Sequence, residues 1–186
     1  MESKRLAPQP VAIALTIGAA LLRLAPHPPN WAPIGAVALF GGARLKGWSA
    51  YLVPLLAMLI TDPILSHRAG YPAYSWASLV IYACFLINVL LGRTFLTNTS
   101  NPWRIGAVAL AGSVQFFLIT NFFVWLGAPS LYPHTTGGLA ECYIAALPFF
   151  ERTLGADLFY SAALFTAHWA LTRSAQPLAF RTAPRP

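Results

Sequence analysis

Apolar residues occupy long runs along the chain, and polar residues gather in the short stretches between them. The runs cover residues 11–25, 31–43, 48–65, 74–91, 105–126 and 154–171. Crossing a hydrocarbon core of about 30 Å takes about 20 helical residues at about 1.5 Å each. The last four runs meet or approach that length; 11–25 and 31–43 are shorter. A polar leader, 1–10, precedes the first run. The second is enclosed by the turn Pro26-His27-Pro28-Pro29-Asn30 and the basic turn Arg44-Leu45-Lys46. A further amphipathic stretch, 138–150, is too short to span and contains Pro148, so it is expected on the membrane surface or folded back into the bundle. The pattern predicts an all-α polytopic transmembrane helix bundle of about six membrane segments.

Composition agrees. Of 186 residues 57% are apolar and 9% charged, and the mean hydropathy is +0.59, well beyond a water-soluble domain. No polar stretch is long enough to form a soluble lobe. A net charge of +7 would suggest nucleic acid in a soluble protein. Here the cations lie between apolar runs, so they report topology and the expected partner is the lipid bilayer. Lys4 and Arg5 ahead of an apolar run also fit a signal peptide, but no small-x-small cleavage site follows, and a retained helix is expected.

With six crossings, Lys4, Arg5, Arg44, Lys46, Arg93, Arg104, Arg173, Arg181 and Arg185 share one side and Arg23, Arg68 and Arg152 the other, nine against three. The positive-inside rule then makes both the amino and the carboxyl terminus cytoplasmic. If 31–43 is re-entrant, the five-span count is eight against four, with the amino terminus outside. Either way the last four helices keep one orientation. The expected organisation is a cytoplasmic leader 1–10, a bundle 11–173 with an outer loop 127–153, and a cytoplasmic tail 174–186. Tyr71, Tyr74, Trp76, Trp125 and Tyr132 fall near the outer boundary, as interfacial aromatics do. Asp62, Glu141, Glu151 and Asp157 also belong to the outer half.

Ionisable groups inside spans are costly and mark candidate sites. Asp62, before Pro63, either presents its carboxylate to a pocket or pairs locally with His67 or Arg68. Asn121, with Thr120 and Gln115, either binds a ligand or bonds between helices. Asp157, one turn into the run 154–171, either lines a site or caps that helix. In the outer loop, Tyr132 and His134 could lid a pocket. His134 and Glu141 lack the spacing of a metal motif, and no metal or cofactor is expected. Cys84 and Cys142 are expected at different depths, unpaired. Catalytic motifs such as Gly-x-Ser-x-Gly or His-Glu-x-x-His are absent from the sequence, so an enzyme is not expected; an intramembrane enzyme using Cys142 with His134 is the weakest reading. Small residues, Ala32 to Ala36 and Ala107 to Ala111, permit close helix approach, inside the bundle or against another subunit.

The run from Arg23 through Asn30-Trp31-Ala32-Pro33-Ile34-Gly35-Ala36 to Ala43, the stretch Leu52 to Asp62, and the pieces Thr120-Asn121-Phe122, Cys142-Tyr143, Pro148-Phe149-Phe150 and Gly155-Ala156-Asp157-Leu158 resemble an uncharacterised family of small bacterial integral membrane proteins. More distantly, Asn30 through Asp62 is similar to the S components of energy-coupling-factor vitamin transporters. That resemblance implies six helices, an outward substrate pocket, and an Ala-x-x-x-Ala contact with a membrane coupling subunit, for which Ala32 and Ala36 have the spacing. It also implies the bacterial inner membrane and uptake of a vitamin or cofactor precursor. Combining both lines, the expected function is binding and uptake of a small solute in an outward pocket, with Asp62, Asn121, Tyr132, His134 and Asp157 orienting it, joined by His27 and Asn30 if 31–43 crosses. The alternative is an accessory subunit of a larger membrane complex without its own substrate.

Overall fold

The computed structural model describes residues 7–70, 72–128 and 130–173. The leader to residue 6, the tail from 174 and the aromatic Tyr71 lie outside these. Among the described residues there are six helices and no strand: α1 Pro8–Leu22, α2 Ile34–Arg44, α3 Ser49–Ala69, α4 Trp76–Phe95, α5 Pro102–Gly127 and α6 Thr136–Arg173. By length and hydropathy α3, α4 and α5 can each cross a membrane. Their faces turned away from the bundle carry exposed Leu52, Leu56, Ile60, Leu79, Leu90, Leu110 and Leu118, an apolar surface suited to lipid. Along α5, Trp103 and Trp125 stand about 33 Å apart, close to the hydrocarbon thickness. Trp48, Trp103 and Trp169 are all exposed near one end of the bundle, a second aromatic belt.

Helix ends follow local chemistry. Asn101 accepts from the backbone N–H groups of Trp103 and Arg104 and caps α5. Ser75 and Ser78 form a reciprocal capping box on α4. Gly70 closes α3 at φ +75°, a left-handed turn that glycine adopts without steric penalty. His168 of α6 reaches the Pro8 carbonyl of α1, so both described ends of the chain lie at one end of the bundle. Arg44 and Arg93 share that end, here termed the basic end. Asp62 and Glu141 belong to the other, the acidic end.

The region expected as an outer loop over 127–153 is corrected: only residues 128–135 connect α5 to α6, and the amphipathic stretch 138–150 is the first part of one 38-residue helix that runs on through Pro148. At about 57 Å, α6 is far longer than a hydrocarbon core. Its charged Glu141, Glu151 and Arg152 are exposed in the acidic-end half, where polar surroundings are within reach.

α2 is the centre of the bundle. Every residue from Gly35 to Ala43 is buried, yet 11 residues cover only about 16 Å, half a hydrocarbon core. Arg44 at its end donates to the carbonyls of Leu96 and Thr99 at the basic end. Its start lies level with Ser113, about 17 Å along α5 from Pro102. The irregular segment 23–33 completes the path from the acidic end, and Trp31 packs against Gly155 and Phe159. Neither a full span nor a simple re-entrant hairpin describes 31–43; it is a half-helix reached by an irregular segment that is exposed over residues 25–30 and becomes buried only at Pro33.

The small residues of α2 are consumed internally. A Cβ on Gly42 would collide with the Val89 carbonyl oxygen, and one on Gly92 with the Leu39 carbonyl oxygen, so α2 and α4 cross backbone to backbone. Ala36 is fully buried.

Candidate functional site

Polar side chains form two centres. At the acidic end, Arg23 pairs with Asp62 at 2.7 Å and donates to the Thr61 hydroxyl at 2.9 Å. Tyr82 of α4 donates its hydroxyl to the same carboxylate. Asp62 therefore pairs with Arg23, just beyond α1, and not with His67 or Arg68 as the sequence suggested. Arg68 instead holds the Leu24 carbonyl at 2.8 Å. Pro63, lacking an N–H, leaves the Leu59 carbonyl without its helical donor; Tyr74 supplies one from its hydroxyl at 2.7 Å. His27 is exposed and bonded to the neighbouring carbonyls of Pro28 and Arg23. This centre ties α1, α3 and α4 together. Since both charged side chains are largely shielded, Arg23→Ala and Asp62→Ala are each expected to lower stability by about 2 kcal/mol, between the exposed and buried limits. A double-mutant cycle followed by thermal denaturation in detergent should return a coupling of similar size; a coupling near zero would show the two charges act independently.

The second centre surrounds the start of α2. Pro33 precedes that helix and offers no side-chain cap, leaving backbone N–H groups of the first turn without helical partners. Asp157 of α6, only 3% exposed, fills the gap. Its carboxyl group accepts from the Ser113 hydroxyl at 2.7 Å and lies against Gly35, where it interacts electrostatically with the Ala36 backbone N–H of the first turn. Gly35 makes this possible, because any Cβ there would overlap the carboxyl group. The sequence reading placed Asp157 at the start of its own helix; α6 begins at Thr136, so the cap is delivered to α2 instead. Among the described residues Asp157 has no cation within ion-pair distance, and hydrogen bonds alone hold it. Asn88, almost fully buried, adds an α4–α5 link by accepting from Gln115 at 3.1 Å over the cleft left by Gly112.

Beside Ser113 lies a cavity of about 160 Å³ between α5 and α6, lined by polar Asn30, Thr120, Asn121 and Thr153 and by the rings of Phe116, Phe117, Phe149 and Phe150. Two contacts bracket it, Ser113 with Asp157 and the Asn121 carbonyl with Cys142. Between them runs about 22 Å of α6 but about 12 Å of α5. Pro148 lies within that stretch of α6, next to the lining residues Ala146, Phe149 and Phe150. Asn121 donates its amide to the Phe117 carbonyl of its own helix, so the interhelical bond expected of it is not the one it makes. Its amide oxygen has no hydrogen-bond partner among the described residues.

Of the sequence candidates, Asn30, Asn121 and, behind Ser113, Asp157 converge on this cavity. Asp62 and His27 belong to the first centre. Tyr132 is half-buried in the α5–α6 connection. His134 faces the Trp125 carbonyl at 3.2 Å while the Trp125 indole donates to Pro133, a clamp within that connection. Cys84 and Cys142 are both free and buried. Among the described residues no three His, Cys, Asp or Glu side chains gather as a metal site. Sequence reasoning missed Arg23, Tyr82, Ser113 and Asn88. Asn88 was discoverable as a lone amide inside an apolar run; the partnerships of the others depend on distant helices.

Comparison with curated proteins and with solved structures found no match. A family of unknown function, DUF6580, does match, over residues 4–179 and so most of the chain, and the protein belongs to that family.

Proposed function

We propose that this protein is a multi-pass component of the bacterial inner membrane that binds a small, uncharged polar solute for uptake, in the cavity between α5 and α6. The observation that carries this reading is the meeting of Asn30, Thr120, Asn121 and Ser113 with four phenylalanine rings around one opening, the mixture of apolar walls and few polar groups that small-ligand sites use. The volume narrows the ligand. Vitamin-sized molecules need roughly 300 Å³ or more, whereas a cavity near 160 Å³ suits about six to ten non-hydrogen atoms, since a void of about 150 Å³ accepts benzene. A charged ligand is disfavoured, as the lining offers no formal charge. With the basic end facing the cytoplasm, the cavity belongs to the outer half.

Six helices, with both described ends at one end, accord with the S-component resemblance. The proposed coupling contact does not: Ala36 is enclosed by this bundle, so any coupling subunit would have to dock elsewhere. The same burial removes support for an accessory-subunit reading based on α2.

Native mass spectrometry of the protein extracted in mild detergent is expected to show a bound species of low mass that is lost from Asn121→Leu, with helix content unchanged. Uptake of that species by cells should fall roughly tenfold or more in the variant, the loss expected when a buried polar ligand group is left unpaired. Wild-type protein that carries nothing, together with unaltered growth and uptake in Asn121→Leu cells, would overturn the proposal.

A further inference from the structure

Two larger hollows open at the basic end, and they share a wall. One, about 850 Å³, is lined by Arg44, Lys46, Arg93 and His168, with no Asp or Glu among its lining residues. The other, about 1020 Å³, is an apolar groove between α5 and α6 that includes Gly106, Ala107, Leu110, Leu158 and Ala162. Arg44, Ser100, Phe165 and Trp169 border both. Arg44 is a fixed part of that wall, since its guanidinium donates to Leu96 and Thr99 and lies 4.7 Å from the Phe165 ring centre. Lys46 and Arg93 are exposed. The Lys46 ammonium has no partner among the described residues, and the Arg93 guanidinium rests only on the Tyr51 ring, 5.6 Å from its centre. Both therefore retain N–H donors for a ligand.

The groove has the depth of one leaflet. From Pro102 to Leu110 it covers about 12 Å of α5, and from Trp169 to Leu154 about 23 Å of α6, values either side of the about 15 Å of half a hydrocarbon core. The space at Gly106 is open, for a Cβ there would touch nothing within 4 Å. Trp103 and Trp169 mark its interfacial edge. A positively charged recess that continues into a leaflet-deep apolar channel matches one chemistry: a phosphodiester joined to an acyl chain.

We propose that the basic end holds a specific site for an anionic phospholipid of the adjoining leaflet, its phosphate between Lys46 and Arg93 and one acyl chain in the α5–α6 groove. The site is separate from the solute cavity and does not depend on it. Charge complementarity selects the occupant: scattered topological cations attract any anionic surface, but here they stand at the mouth of a channel that only a chain-bearing molecule fills.

The test uses full-length protein in nanodiscs containing equal phosphatidylglycerol and phosphatidylcholine, released and weighed by native mass spectrometry. Wild type is expected to retain phosphatidylglycerol in preference. Lys46→Gln and Arg93→Gln should each reduce that preference roughly fivefold, as loss of one interfacial cation does. Ala107→Phe, which fills the groove from an exposed position, should reduce retention of both lipids, while Ala111→Phe, also exposed on α5 but outside the groove, should not. Equal retention of the two lipids by wild type would overturn the site. So would displacement of the lipid by glycerol phosphate alone, which would mean a free phosphate site, or a dimer abolished by Ala107→Phe, which would mean that a second copy fills the groove.

Discussion

Gly42→Ala and Gly92→Ala are each expected to destabilise the bundle by about 3 kcal/mol or more, at the upper end of overpacking costs. The reason is that the obstacle is backbone. Each new methyl would collide with a carbonyl oxygen, of Val89 or of Leu39, that belongs to a hydrogen-bonded helix and has no alternative rotamer. Relief requires α2 and α4 to separate, and α2 has no lipid-facing side toward which it can move. Because both substitutions force apart the same crossing, the double variant should cost clearly less than the sum of the two. Gly18→Ala is the control: its Cβ would meet nothing within 4 Å, and the change should be neutral or stabilise by about 0.5–1 kcal/mol through helix propensity. Thermal denaturation in a single detergent separates these outcomes. Equal stability of Gly18→Ala and Gly42→Ala would mean that the α2–α4 crossing is looser than described.

Asp157→Leu is expected to have the next largest effect, about 2–4 kcal/mol. Two losses combine: the cap on the first turn of α2, about 0.5–2 kcal/mol, and the Ser113 hydroxyl, left buried without its acceptor, about 1–3 kcal/mol. Asp157→Asn keeps an acceptor oxygen of the same reach and should recover about half of the loss. Ser113→Ala, which removes a donor but leaves the carboxyl group on Ala36, should cost less than Asp157→Leu. Amide exchange gives a sharper reading than global stability. The Ala36 N–H should exchange faster in Asp157→Leu, whereas amides near Asp62 should not change. If the first turn of α2 kept its protection in Asp157→Leu, the assignment of Asp157 as its cap would be wrong.

Both predictions concern residues whose types are visible in the sequence but whose tasks are not. Asp157 is a plain example. A carboxylate after Gly155 near the start of an apolar run is a reasonable cap for that run, and the physics of the expectation is right; the beneficiary is wrong because α6 is already more than five turns long at that point. From the sequence the run begins only at 154, because 138–150, with Pro148, reads as a separate amphipathic stretch too short to span and the charges Glu151 and Arg152 follow it. They are tolerated because that half of the helix exceeds the length a bilayer core can enclose. Asp62 makes the same point with charge, since the nearest cations in sequence, His67 and Arg68, are passed over for Arg23. Asn30 and Asn121 are legible as polar groups out of place, but only the packing of α6 against α5 and the segment before α2 brings them to one cavity.

What the sequence by itself determined was the all-helical class and the position of the apolar segments, three of which form helices long enough to cross a membrane; the full length of α6 was not among them. Those follow from local windows: the free energy of moving about 20 residues between water and lipid sums over neighbours in the chain and needs no partner. Tertiary structure alone decided that 34–44 is a half-helix buried from Gly35 to Ala43, that Asp157 caps it, and which hollows remain open. In lipid, apolar burial gives little drive between helices, so side-by-side arrangement rests on close contacts and single hydrogen bonds such as those of Gly42, Gly92, Arg23 and Asp157. Their energies depend on ångström-scale distances between segments far apart in the chain, which no local pattern encodes.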